Sequence, residues 1–248
     1  MKHIDKKESP ENFENWKEKY KSGSEKNLEE RYKTDISGND LWEVLPSSSI
    51  KEDRKEEGII YYSKQELRSS IIVEQGFICC YCNQEVKNDN TSVLEHFNPK
   101  GLKQYKNQTF DYKNILISCN GGQKDPKPKY SHCDTNRKKG EELPLSPLQT
   151  DIEEHFDFTI DGQIIGKTDA GNEIIGKLGL DIFKLEDLRE SAIRAIVYEN
   201  PFDQILEFRS KEDALREKKR LQQLENKRFE PFCTAIIKVL DNEIINIL

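Results

Sequence analysis

The stretch Cys79–Phe97, CCYCNQEVKNDNTSVLEHF, decides how this chain is read. Three of its six cysteines fall within four positions, and after a polar turn Glu95 stands beside His96, one of only four histidines. Two cysteines spaced as Cys79 and Cys82 are let one tight turn present both sulfurs to a tetrahedral ion. Cys119 and Cys133 supply a second pair, although thirteen residues separate them where a close pair is usual. The intervening NGGQKDPKPKYSH reads as a loop that bulges out and returns. The pattern predicts a structural zinc on Cys79, Cys82, Cys119 and Cys133, with Cys80 and His132 left open as substitutes.

Around this cluster the elements are short. SPENFENWKEKY reads as an amphipathic helix, with Ser9 as N-cap, Pro10 at the first helical position, and Phe13, Trp16 and Tyr20 on one face. SKQELRSSIIVEQG has Ser63 and Glu66 in capping-box spacing and Gly76 as a stop, so it delivers the chain straight into the cysteines. TSVLEHF reads as a strand, DYKNILISC as a helical or turn segment, and HCDTNRKKG as a last short helix ending at Gly140. Downstream, DFTIDGQIIGKT is a β-hairpin turning at Asp161-Gly162. The remainder is helical, with Leu185, Leu188, Ala192, Ala195 and Ile196 as the apolar stripe of one helix.

Charged residues make up 34% of 248, polar for a globular protein but still leaving clear periodic apolar segments, so a folded chain with much exposed charged helix is expected. No run approaches the roughly 18 to 20 apolar residues that span a bilayer, and MKHIDKKESPENF lacks a signal-peptide core, so no membrane partner and a cytoplasmic location are expected. The net charge of −7 is uneven: Phe97 to Gly140 holds ten basic and three acidic residues, which is +7 and leaves −14 for the rest. A basic segment in an acidic chain suits phosphate binding, because neutralised phosphates give affinity without sequence preference. Lys100, Lys103, Lys106, Lys124, Lys127, Lys129, Arg137 and Lys138 are its candidate contacts.

Hydrolysis of a phosphodiester at a single metal needs a base for the attacking water and a cation for the developing charge. His96 can take the proton at neutral pH. Glu95 would point to the other face of an ideal strand, so both serve one site only where the strand twists or ends.

Taken in order, CxxC, EHF, NILISC and HCD resemble the HNH endonucleases. The opening MKHIDKKESPENF together with CCYC, LEHFNPK, NILISCNGG and HCD resembles, more narrowly, retron-associated HNH proteins and the PtuB component of Septu anti-phage systems. The resemblance implies a zinc-stapled ββα-metal finger with His96 as general base, Glu95 as acidic metal ligand and Asn114 bracing the loop and orienting the histidine. Its third position falls on Asp134, with Asn136 a rival because CDTNRKKG departs from the usual pattern. Such oxygen donors suit Mg²⁺ or Mn²⁺. The resemblance also implies a nucleic-acid substrate, DNA ahead of RNA, and a PtuA-like ATPase partner, for which the acidic, helical C-terminal part is the expected docking surface. The expected fold is α+β and mainly helical: an N-terminal helical segment over 1–75, the finger over 76–145, and a hairpin with helices over 146–248. A zinc-stapled binding or assembly module without catalysis is the alternative.

Overall fold

In a computed structural model, residues 1–22, 32–33, 35–48, 62–122, 130–200 and 205–248 are described. Lys124, Lys127 and Lys129 lie outside them, as does the side chain of Tyr20. The fold is α+β with small antiparallel sheets. The sheet that matters most pairs β1, Ser92–His96, with β2, Ile115–Cys119, in a register that sets Ser92 opposite Cys119 and His96 opposite Ile115. The helix or turn expected over DYKNILISC is therefore corrected: only Tyr112–Asn114 make a 3-10 turn, and ILISC is a strand. All five of its residues are buried, so no polar alternation marks the period and the apolar run alone could not separate strand from helix.

Helix α3, Lys64–Glu74, packs on this sheet and follows the predicted start and stop. Ser63 Oγ accepts the Glu66 N–H at 3.3 Å and donates to the Glu66 carboxylate at 2.8 Å, and Gly76 reverses the chain at φ +63°. Just past the helix, the Gln75 amide donates to Ile117 O at 3.0 Å and accepts from Ile117 N at 2.7 Å. A side chain thus satisfies the free backbone edge of β2, as a buried strand edge requires. Helix α1, Glu11–Ser22, begins one residue later than expected: the Pro10 carbonyl accepts from Phe13 and Glu14, so Pro10 occupies the cap. Phe13 and Trp16 are buried, and Trp16, Phe110 and Trp42 continue an aromatic wall down to His96. Trp42 ends the short helix α2, Gly38–Trp42.

The hairpin β3, Phe156–Phe158, with β4, Ile164–Gly166, turns through Asp161-Gly162 as the sequence predicts. Helix α4, Asp169–Leu178, is capped by Thr168 and stopped by left-handed Gly179. Helix α5, Phe183–Val197, is helical as expected but turned about its axis: Leu185, Arg189, Ile193 and Val197 face the core, while Leu188 and Ala195 are exposed. The cause is Arg189, a charged residue in the buried stripe, whose guanidinium donates to Gly162 O at 2.6 Å and Leu180 O at 2.9 Å. β5, Tyr198–Asn200, pairs with β6, Ile205–Leu206; helix α6, Lys211–Leu221, and helix α7, Cys233–Val239, follow, the last running into a π-helical turn over Leu240–Ile244. Buried apolar side chains from Met1 to Ile245 form one cluster that contains all six cysteines.

The short helix expected over HCDTNRKKG is a single 3-10 turn, Cys133–Thr135, so no α-helix completes a ββα finger among the described residues. Cys133 itself has φ +53°, a left-handed start from which a regular helix does not propagate.

Candidate metal centre and catalytic cavity

The sulfurs of Cys79, Cys82, Cys119 and Cys133 all lie within 4.8 Å of one another and are buried. Cys79 Sγ is 3.8 Å from Cys133 Sγ, and Cys82 Sγ is 3.9 Å from Cys119 Sγ. Four thiolates about 2.3 Å from a tetrahedral zinc would stand roughly 3.8 Å apart, so the cluster fits such an ion and could hold a metal. Backbone N–H groups of Tyr81 and Cys119 point at Cys79 Sγ at 3.5 and 3.3 Å. The turn is built by Asn83, at φ +63°, whose backbone N–H and side-chain amide both donate to Cys79 O. Burial raises the Cys133 thiol and opposes ionisation of Cys79, yet bonds from the neighbouring thiols lower Cys79 well below the usual range. A bound cation would offset the charge of clustered thiolates. Cys80 is buried outside the cluster, and His132 Nδ1 lies 3.1 Å from Tyr130 O, so neither displaces a cysteine.

Beyond the cluster, a cavity of 390 Å³ is lined by Glu95, His96, Lys100, Asp134, Arg137 and Lys138, among others. Glu95 and His96 reach the same cavity because His96 is the last residue of β1, where the strand's alternation ends. His96 Nε2 lies 3.0 Å from Thr109 O, which can only accept, so that nitrogen carries the proton and Nδ1 keeps its lone pair. Lys100 Nζ is 3.3 Å from Nδ1, and the imidazole stands edge-on to Trp42 with centroids 4.6 Å apart. Burial first, and then the Lys100 charge, push His96 down to about 3, which keeps the ring neutral and corrects the ordinary imidazole value on which its expected readiness to take a proton at neutral pH rested.

Glu95 is buried, and its Oε1 takes two donors, Tyr81 OH at 2.9 Å and Arg137 Nη1 at 2.5 Å. Burial and then the Asp134 charge push Glu95 up to about 8, against the pull of Arg137. Two carboxylates on the wall of one cavity are a donor set suited to a hard divalent ion. Burial, and then Glu95, push the Tyr81 phenol well up, so it stays a donor. Asn114 closes the loop between the strands: its amide donates to Asn98 O at 3.0 Å and Gln108 O at 3.2 Å, while its oxygen accepts Asn98 N at 2.7 Å.

Asn136 is turned elsewhere, donating to Lys177 O at 3.0 Å at the end of α4, so Asp134 is the residue brought beside Glu95. Arg137, expected at the phosphate surface, is committed inward to Glu95, His96 O, Phe97 O and Glu141 O. Its position four residues after Cys133 gave no sign of that, because the acceptors lie across the loop. Lys106 is buried, whereas Lys103 is exposed and Lys138 is exposed on the cavity lining. Tyr81 and Trp42 carried no motif; only the placement of Tyr81 between two ligands was a signal. No helix among the described residues is long and apolar enough to cross a membrane.

No protein-family model matches the chain, and no curated protein matches it.

Proposed function

We propose that this chain is a metal-dependent HNH endonuclease that hydrolyses nucleic-acid phosphodiesters, DNA ahead of RNA, with a structural zinc on the four cysteines. The observation that carries the reading is the meeting of His96, Glu95 and Asp134 on the lining of one cavity, with Lys100 beside the histidine. Lys100 transfers from the imidazole to a substrate phosphate, which frees Nδ1 to take the proton of the attacking water. Thr109 O holds the ring in the tautomer this needs. Glu95 and Asp134 would hold Mg²⁺ or Mn²⁺, which when bound supplies positive charge to the phosphate and the departing oxygen. Lys103 and Lys138 hold backbone phosphates, which position a strand without reading its sequence. In the sequence's resemblance to Septu and retron-associated proteins lies the further reading of an anti-phage effector in the cytoplasm, working with a PtuA-like ATPase.

A second reading, a zinc-stapled nucleic-acid-binding or assembly module without catalysis, is favoured by one observation: Glu95 already has Arg137 as its counter-ion. Incubation of plasmid DNA and tRNA with the purified chain separates the two. Nicking that needs Mn²⁺, stops with chelator and is lost in Asp134→Asn supports the nuclease. Binding without any hydrolysis supports the module.

A further inference from the structure

Tyr81 lies between Cys80 and Cys82, inside the turn that presents two cluster sulfurs, and it is fully buried. Its hydroxyl donates to Oε1 of Glu95, on β1, at 2.9 Å. Arg137 Nη1 donates to the same oxygen at 2.5 Å. Both donors act on Oε1, and no donor to Oε2 is found among the described residues. Two buried donors hold the carboxylate through one oxygen, and Glu95 and Asp134 line the same cavity. The ring that supplies one donor is carried by the turn that presents Cys79 and Cys82 to the cluster.

We propose that Tyr81 is a positioning residue: it couples the geometry of the four-cysteine centre to Glu95, and so sets the affinity of the Glu95–Asp134 pair for a divalent cation. The inference rests on the reading of Glu95 and Asp134 as cation ligands. Outer partners of metal-bound side chains change affinity by roughly 10 to 100-fold when removed. Tyr81→Phe deletes only the hydroxyl and leaves the buried ring to pack.

The test is Mn²⁺ binding to the zinc-loaded full chain, followed by electron paramagnetic resonance, with zinc content measured on the same samples. Wild type is expected to bind, Glu95→Gln to lose binding, and Tyr81→Phe to bind about 10-fold or more weakly with zinc content unchanged. If Glu95→Gln binds like wild type, the cation-ligand reading fails. If Glu95→Gln loses the ion while Tyr81→Phe keeps wild-type affinity, only the role of Tyr81 is overturned. Against the case that Tyr81→Phe does not fold, 3-fluorotyrosine placed at position 81 alone keeps the hydroxyl. Its fluorine resonance should move on Mg²⁺ addition and stay still in the Glu95→Gln background; no movement while Mg²⁺ binds overturns the coupling.

Discussion

The Nζ of Lys100 lies 3.3 Å from Nδ1 of His96, so an ammonium group caps the one imidazole nitrogen that has a free lone pair. If Lys100 passes to a phosphate when substrate arrives, Lys100→Met removes one phosphate contact. Oligonucleotide affinity at low salt should fall, and the slope of log affinity against log salt should shrink by about one. Fluorescence anisotropy across a salt series measures both; an unchanged slope would mean that Lys100 stays on the histidine.

The burial of His96 makes stability depend on pH in a stated direction. Its folded value is about 3 against an ordinary 6.5, so below about pH 6.5 the unfolded chain takes up a proton that the folded chain does not. This contribution is complete above that pH and is lost as pH falls toward 3. Between pH 7 and about 5, wild type should lose about 2 kcal/mol more than His96→Gln, read from denaturant midpoints at each pH.

Arg137 is the counter-ion of a buried carboxylate and also binds three backbone carbonyls across the loop. Arg137→Ala leaves those acceptors unpaired and should cost about 3–5 kcal/mol of unfolding free energy. Were Arg137 a surface phosphate contact, the same variant would lose well under 1 kcal/mol, about the worth of an exposed charge.

Removal of one sulfur tests the metal centre. Wild type should carry one tightly held zinc, and Cys133→Ser should lose it and unfold, because binding energies of about 10–16 kcal/mol are folding energy in small zinc-held units. Elemental analysis with circular dichroism reads this, and chelator should lower the melting temperature of wild type alone. A folded, zinc-free wild type would show four buried thiols that need no ion.

Asn114 latches both backbone groups around Asn98 to the start of β2. Asn114→Ala should cost about 1–3 kcal/mol and speed hydrogen exchange over residues 97–109, since the freed groups are partly buried. Exchange unchanged in that loop would mean the loop is held by other contacts.

The pairing of Cys79 with Cys82 was legible because close metal-ligand spacing constrains local geometry, and the caps at Ser63 and Gly76 and the turn at Asp161-Gly162 were legible for the same local reason; Cys119 and Cys133, separated by thirteen residues, were placed only as the remaining candidates. The strand at ILISC was not, since its burial on both faces erases alternation. The phase of α5 was misread because a buried arginine counts as polar in any pattern, while its two carbonyl partners are set by tertiary contacts. The cavity followed the same division: His96, Glu95 and Asp134 sit in recognisable strings, whereas Tyr81, Trp42 and the inward turn of Arg137 depend on segments far apart in the chain. Asp134 and Asn136 are two residues apart and chemically alike, and only the path of α4 past Asn136 separates them.

The role proposed for His96 is that of the base in phosphodiester hydrolysis. Single-turnover cleavage of plasmid DNA in Mn²⁺ by wild type and His96→Ala, with DNA binding measured on the same preparations, tests it most directly. His96→Ala should bind DNA as wild type does and cleave at least about 100-fold more slowly. Cleavage by the variant at the wild-type rate, or no cleavage by zinc-loaded wild type under any divalent ion, would contradict it.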